Sequence, residues 1–270
     1  MSFNLFFMKK NSSLLLILVV LASCSSVLLT GRKQLNLVTD EQVLALSEVS
    51  YQSFISTATV SSKTVDNAKV LRVGQKVTQA VELYMKNEGM SEALKNYAWS
   101  FKLVKDTSVN AFCMPGGKIV VFEGLLPIAQ TDAGLAVVLG HEIAHAIAKH
   151  ANERMSQQMV SSYSSSALAG ILQNKSQLTQ TIALTAFGLG SEYAVALPYS
   201  RKQEYEADEL GLIFMAMAGY DPNEAIGFWT RMAAHGGSSV PEFMSTHPSD
   251  SKRISTLKKY LPMALKYYKK

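Results

Sequence analysis

The stretch that decides the fold is HEIAH at residues 141–145, an HExxH sequence inside the apolar segment 133–147. Residues four apart lie on one face of a helix, so both imidazoles can bind one metal ion. Glu142 falls beside them, close enough to take a proton from an activated water without being a ligand. A helix with two surface histidines is the alternative, but burying two imidazoles and a carboxylate without a metal would be costly. The sequence therefore predicts a metal site.

The third metal ligand must come from elsewhere in the chain, because a catalytic zinc takes three protein ligands and a water. The metzincin pattern requires a histidine six residues after the second one, where this chain has Ala151, so that class is excluded. The thermolysin-like class uses a glutamate from a later helix, and both Glu204 and Glu206 lie on the predicted helix 201–218. Glu204 shares its face with Asp208, which could hold the free ring nitrogen of a ligand histidine. Two solvated charges on an amphipathic helix are the alternative for this pair.

The remaining pattern predicts a mostly helical fold of the α+β class with a small antiparallel sheet. Alternation of apolar and polar residues predicts a strand near 99–103, and Asn110–Met114 and Lys118–Phe122 are extended runs joined by a Pro-Gly-Gly turn. The expected zincin-like domain carries HExxH on its active-site helix. Caps and apolar periodicity predict helices at 39–55, 66–86, Thr131 to beyond Glu153, 201–218, the segment opened by Asp221, and a final basic helix after Ser249.

The N-terminal 23 residues show lysines, an apolar run and small residues in the order typical of a secretory signal. The run Leu14–Ala22 is far shorter than the roughly 20 residues of a membrane span. It ends in LASC at residues 21–24, which resembles a bacterial lipobox and predicts lipid attachment to Cys24; an ordinary signal peptide is the alternative. The expected organisation is a signal peptide (1–23), a lipid-anchored tether (24–38) and a single metallopeptidase domain with a helical preface (39–270).

The composition restricts the classes of partner. Hydrophobic residues make up 48% of the chain and charged residues 17%, against about 25% charged in an ordinary soluble domain, so a packed core is expected. The net charge of +5 is not organised into a basic stripe with aromatic residues, which disfavours nucleic acid. Two cysteines cannot form a disulfide framework or a four-cysteine zinc site. Cys113 is expected to be structural.

Two segments carry a resemblance to a known family. HEIAH followed by SRKQEYEAD at residues 200–208 resembles the CAAX prenyl-protease/HtpX family of zinc metallopeptidases, which are gluzincins. The segment NAFCMPGGKIVVFEGLL at residues 110–126 is similar to the strand pair of that family. With the lipobox, the chain looks like its bacterial periplasmic lipoprotein branch, over about residues 35–260.

The resemblance implies one zinc ion per chain and a role for each matching residue. It implies that substrate peptide adds as a strand beside Asn110, Ala111 and Phe112. The roles at the metal are His141, His145 and Glu204 as ligands, Glu142 as general base, and Asp208 as the partner of a ligand histidine.

His247, which precedes Pro248, has three possible roles. It could stabilise the tetrahedral oxyanion as a catalytic residue, or cap the open zinc position and restrain activity. A surface histidine before a helix is the third possibility.

The expected function is that of a zinc endopeptidase that cleaves peptide bonds through a zinc-activated water, with Glu142 as general base. The resemblance implies protein quality control, with unfolded or misassembled envelope proteins as substrates. It places the chain in the outer membrane, facing the periplasm, through the lipid on Cys24. Two alternatives are a chaperone-like zinc lipoprotein with a silent or self-inhibited site and a zinc hydrolase of non-peptide bonds.

Overall fold

The structure is a computed structural model that describes residues 24–192, 196–235, 243, 247 and 252–269. The predicted signal peptide, residues 1–23, lies outside the described residues, as do Ser249 and Asp250, either of which is predicted to cap the final helix. Helices dominate the described part, beside two small sheets, which confirms the predicted mostly helical α+β class. In this part of the chain, no helix combines the length and the apolar character needed to cross a bilayer.

The regular elements follow one another along the chain as short strands and longer helices. The strands are β1 (Cys24–Ser26), β2 (Lys33–Leu35), β3 (Ser100–Val104), β4 (Ala111–Met114) and β5 (Lys118–Phe122). The helices are α1 (Asp40–Thr57), α2 (Thr64–Asn87), α3 (Leu126–Ala129), α4 (Asp132–Ile147), α5 (His150–Leu172), α6 (Gln177–Ser191), α7 (Leu197–Met217), α8 (Glu224–His235) and α9 (Arg253–Ala264).

The chain divides into two compact units. One comprises the chain up to Val43 together with Lys149–Ala196, and the other comprises Leu44–Ala148 together with Leu197–Lys270. The organisation into tether and single domain, with boundaries at residues 24 and 39, stays a prediction.

The first unit contains the β1–β2 hairpin and the helices α5 and α6. The two strands pair antiparallel, with Cys24 opposite Leu35. Arg32 forms a two-pronged ion pair with Glu153 at the start of α5, with N–O distances of 2.9 and 2.8 Å. The backbone amide of Leu37 donates to Ser156 Oγ at 2.8 Å. These contacts tie the residues on both sides of β2 to the first turns of α5.

The predicted helix from Thr131 to beyond Glu153 is wrong, because the chain forms two helices there. Helix α4 ends at Ile147, and Lys149 adopts a left-handed conformation with φ of 56°. An L-residue in that conformation cannot continue a right-handed helix. Helix α5 then begins at His150, whose side chain is fully buried.

The sheet of the second unit has the strand order β3-β5-β4. Strands β4 and β5 pair antiparallel, as predicted, and Gly116 and Gly117 turn between them with φ of 85° and 87°. Strand β3 pairs with β5 in parallel, a connection that the local pattern does not reveal. Strand β4 is therefore an edge strand of this sheet, and it packs against α4.

Helices α4 and α7 cross with their backbones in contact, at Gly140 and Gly211. A Cβ atom on Gly140 would lie 2.7 Å from the carbonyl oxygen of Gly211, and one on Gly211 would lie 2.8 Å from the amide nitrogen of His141. Real Cβ atoms need more room than that, so glycine is required on both sides. This close approach brings the face of α7 that carries Glu204 and Asp208 against the HExxH helix.

We predict that Gly211→Ala forces α4 and α7 apart and lowers the free energy of unfolding by about 1–3 kcal/mol, the usual cost of overpacking. Urea unfolding followed by circular dichroism measures this change. Gly170→Ala in α5 is the matched control, because its Cβ would meet nothing within 4 Å. That variant should be neutral or more stable by up to about 1 kcal/mol. Equal effects of the two substitutions would contradict a backbone contact at Gly211.

Candidate metal centre

Four buried side chains meet where α4 crosses α7. His141 and His145 come from consecutive turns of α4, Glu204 comes from α7, and His247 comes from the segment between α8 and α9. One potential ligand atom from each residue lies within 4.8 Å of those of the other three. The structure thus brings together the three predicted ligands and His247.

The distances among the three predicted ligands suit a zinc ion. His141 Nε2 lies 3.1 Å from His145 Nε2 and 3.3 Å from Glu204 Oε2, and His145 Nε2 lies 3.4 Å from Glu204 Oε1. Ligand atoms at about 2.0–2.1 Å from a tetrahedral zinc lie roughly 3.3 Å apart. Two imidazole nitrogens and one carboxylate oxygen are also the donor set of thermolysin-type zinc sites. The residues present therefore fit the metal.

The electrostatics of the cluster also call for a cation. Burial lowers the pKa of His141, but hydrogen bonds with Asp208 and Glu204 outweigh burial and raise that pKa to about 9. Burial raises the pKa of Glu204, but the neighbouring His145 and His141 bring it well below its usual range. Glu204 is thus an anion at neutral pH, and a proton or a metal ion must balance it.

Asp208 makes a hydrogen bond with the ring of His141, the first predicted ligand. His141 Nδ1 donates to Asp208 Oδ1 at 2.9 Å, which leaves Nε2 turned toward Glu204 and His145. A carboxylate on the far nitrogen fixes the tautomer of a metal-binding imidazole and strengthens it as a ligand. Asp208 is fully enclosed, four residues after Glu204 on the same face of α7.

Arg253, at the start of α9, completes this arrangement and was missed by the sequence analysis. Its Nη2 and Nε donate to the two carboxylate oxygens of Asp208 at 2.7 and 2.9 Å. Its Nη1 lies 3.4 Å from Glu204 Oε2, and its guanidinium carbon lies 3.4 Å from the ring centre of Trp229. Only 1% of Arg253 is exposed. In the sequence it is one of seven basic residues over 252–270, where nothing distinguishes it from solvated lysines.

His247 lies at ligand distance from the predicted metal position. Its Nδ1 is 3.2 Å from His141 Nε2 and 3.3 Å from Glu204 Oε2, and its ring stacks on Phe243 with centroids 4.6 Å apart. His247 is buried, which argues against the hypothesis that it is a surface histidine. Its position suits a fourth donor, the alternative in which His247 caps the site.

Glu142 is buried beside the cluster but does not belong to it. Within the described residues its Oε1 has no hydrogen-bond partner, and it lies 3.4 Å from His247 Nε2. A buried carboxylate oxygen that accepts no hydrogen bond is available to accept a proton. Glu206, the competing glutamate of α7, is also buried but is not part of the cluster.

The predicted substrate strand lies at the edge of the sheet. Asn110 accepts a hydrogen bond from the amide of Phe122, and antiparallel pairing alternates, so Phe112 turns its backbone groups toward β5. Ala111 and Cys113 turn theirs away from β5, with the Ala111 amide donating to Asn110 Oδ1 at 2.9 Å. Burial and the nearby Glu142 raise the pKa of Cys113 well above its ordinary value. The edge of β4 is therefore close to Glu142.

The family profile for peptidase family M48 matches residues 70–261 of this chain, a span that includes every residue of the cluster. The chain belongs to peptidase family M48. The prediction that the chain is a metallopeptidase is thus confirmed at the level of the family.

Relatives of this M48 chain include mitochondrial metalloendopeptidases and a bacterial protease. The mitochondrial metalloendopeptidase OMA1 of Schizosaccharomyces pombe is 40% identical over 190 residues, which cover 70% of this chain and 53% of the relative. The human metalloendopeptidase OMA1, mitochondrial, is 32% identical over 245 residues, or 88% of this chain and 46% of the relative. The β-barrel assembly-enhancing protease of Escherichia coli K12 is 28% identical over 57% of this chain and 33% of the relative. The chain spans about half the length of the OMA1 relatives or less.

The relatives correct one prediction. The expected location in the outer membrane, facing the periplasm, is wrong, because the OMA1 relatives from fission yeast and human are named mitochondrial. The order of basic, apolar and small residues that suggested this location is a short sorting signal, and such a signal carries no information about the fold. The narrower assignment to the CAAX prenyl-protease/HtpX or lipoprotein branch goes beyond M48 membership and stays a prediction, as does lipidation of Cys24.

We predict that Arg253→Gln and Asp208→Asn each weaken zinc binding by about 10–100-fold, because Asp208→Asn removes the charge of the carboxylate that orients His141 and Arg253→Gln removes the cation that holds that carboxylate in place. Competition with a chromophoric chelator measures the affinity. Arg72→Gln is the control, since Arg72 forms an exposed ion pair with Asp132 and should change the affinity less than about twofold. Unchanged affinity in Arg253→Gln would show that Arg253 is irrelevant to the metal.

Proposed function

We propose that the protein is a zinc-dependent endopeptidase that hydrolyses extended peptide segments. The observation that supports this most strongly is the cluster of His141, His145 and Glu204 at zinc-ligand distances, with the buried carboxylate of Glu142 beside it. A closed structural zinc site needs four ligands and no base. A general base next to three ligands suits a hydrolase.

Each residue near the cluster has a chemical task in this proposal. A zinc ion, when bound, acts as a Lewis acid that makes a water acidic and polarises a carbonyl. Glu142 accepts the proton of the attacking water and then delivers it to the leaving amine. Asp208 and Arg253 hold the His141 ring in its binding orientation. Burial of all these groups excludes bulk water, which strengthens their electrostatic interactions.

The edge strand favours peptides over other substrates. Strand β4 is at the sheet edge, and Ala111 and Cys113 turn their backbone groups away from β5. An extended peptide can add there as a further strand, with its scissile bond led toward Glu142. A substrate without a peptide backbone would gain nothing from this edge.

The biological role that we propose is removal of unfolded or misassembled proteins. The name of the Escherichia coli relative links that protein to β-barrel assembly, which supports a role in protein quality control. An edge-strand binding mode also suits unfolded chains, because it reads backbone groups that folded proteins keep paired.

We predict that the zinc-loaded protein cleaves an unfolded protein such as reduced, alkylated casein and that Glu142→Gln, with matched zinc content, loses about 10²–10⁴-fold in rate, since the proton acceptor is gone. Gel electrophoresis and mass spectrometry of the products measure the cleavage. Glu82→Gln, an exposed site on α2, is the control and should cleave normally. Cleavage at the wild-type rate by Glu142→Gln would refute the assigned general base.

A self-inhibited site is the second candidate, because His247 Nδ1 lies at ligand distance from the cluster. If His247 occupies the position that substrate and water need, each turnover must first displace it.

We predict that His247→Ala raises the cleavage rate at saturating zinc, by roughly tenfold for a cap worth about 1.4 kcal/mol. The rate is compared with that of His235→Ala, which removes an exposed histidine at the end of α8 and should leave cleavage unchanged. A lower rate in His247→Ala would instead assign His247 to oxyanion stabilisation. An unchanged rate would exclude both roles.

A further inference from the structure

Helices α5 and α6 form a helical pair with almost no charge. From residue 155 to residue 191, the only charged side chain is Lys175, in the turn between the helices. Helical pairs on a water-exposed surface normally carry charged residues on their outer faces. Serine, threonine and glutamine supply the polarity of this pair instead.

The outer face of each helix carries large apolar side chains. Each residue of an α-helix is rotated by about 100° around the helix axis from the one before it. Around that axis, the exposed apolar residues of α6 lie within about 40° of one another and those of α5 within about 120°. Exposed fractions reach 72% for Tyr163, 76% for Ile171 and 70% for Leu178. The exposed residues are Met159, Val160, Tyr163 and Ile171 on α5, and Leu178, Ile182 and Leu189 on α6.

The opposite sides of the two helices are apolar too. Leu168 and Leu172 of α5 and Leu184 and Phe187 of α6 are half-buried, and the two helices pack against each other. Each helix is therefore apolar around much of its circumference, which is typical of a helix that meets a second apolar phase. Scattered exposed apolar residues are common on any protein, but seven on one hairpin with a single charged residue are a patch.

The base of this hairpin is fixed to the segment that follows the apolar N-terminal run. Arg32 pairs with Glu153, whose side chain is fully buried, and Leu37 donates to Ser156. Residues Leu14–Ala22 of the sequence are an uninterrupted apolar run shortly before β1. The hairpin and the chain that leaves this run thus belong to the same compact unit.

We propose that the outer faces of α5 and α6 dock on the surface of a lipid bilayer. The apolar residues enter the acyl boundary, and the hydroxyl and amide side chains beside them stay at the level of the headgroups. A bilayer fits better than a protein partner, because the patch offers one charge in 37 residues with which to specify a partner. Attachment at the N-terminus, through the apolar run or through a lipid on Cys24, would hold this surface close to the membrane.

Hydrogen–deuterium exchange of the full chain, with and without vesicles of phosphatidylcholine and phosphatidylglycerol, tests the docking. Amides of 157–191 should exchange about tenfold more slowly with vesicles, because docking suppresses local opening of an otherwise marginal hairpin. Amides of α2, which belongs to the other unit, should not change. This readout is local, so attachment through the N-terminal run alone cannot produce it. It does not involve catalysis, so it stands or fails separately from the proposed peptidase activity.

A pair of charge variants makes the test specific. Leu178→Glu with Ile182→Glu should abolish the vesicle-dependent protection, whereas Leu83→Glu, at an exposed apolar site on α2, should retain it. Exchange at 157–191 that vesicles leave unchanged would overturn the proposal. Protection that appears at high protein concentration without lipid would also overturn it, in favour of a second copy of the chain.

Discussion

The backbone contact between α4 and α7 is the constraint on which the metal centre depends. Gly140 and Gly211 let the two helices approach until a single added carbon would collide with the opposite backbone. At that separation a ligand from α7 reaches the two imidazoles of α4, one turn of helix apart. The same approach places Asp208 behind His141, so that one helix face supplies both a ligand and the group that orients another ligand.

The charges of the site balance only when all its parts are present. Glu142, Glu204 and Asp208 contribute three negative charges in a buried volume, and Arg253 supplies one positive charge. A bound zinc ion adds two, which makes the sum zero. Removing one partner of a buried charged group leaves the other without compensation, which costs far more than the pair contributes. Arg253 is therefore as much a part of the site as the residues at ligand distance.

Local spacing made much of this site predictable. The i, i+4 pairs His141 with His145 and Glu204 with Asp208 each fix two side chains on one helix face, whatever the rest of the chain does. The helix break at Lys149 was not predictable, because lysine carries no signal for a left-handed turn. The parallel pairing of β3 with β5 and the burial of Arg253 depend on contacts between distant segments. The periodicity of apolar residues within one segment does not reveal such contacts.

The C-terminal segment holds the site through two contacts of unequal strength. Arg253 is fixed by a two-pronged charged hydrogen bond to Asp208 and by the face of Trp229. His247 makes longer contacts of 3.2 to 3.4 Å and a stack on Phe243. Charged, two-pronged bonds are roughly twice as strong as neutral ones. The start of α9 is thus the anchor, and withdrawal of the His247 ring from the cluster does not require the Arg253 contacts to break. A site built in this way can lose the His247 contacts while His141, His145 and Glu204 stay in place.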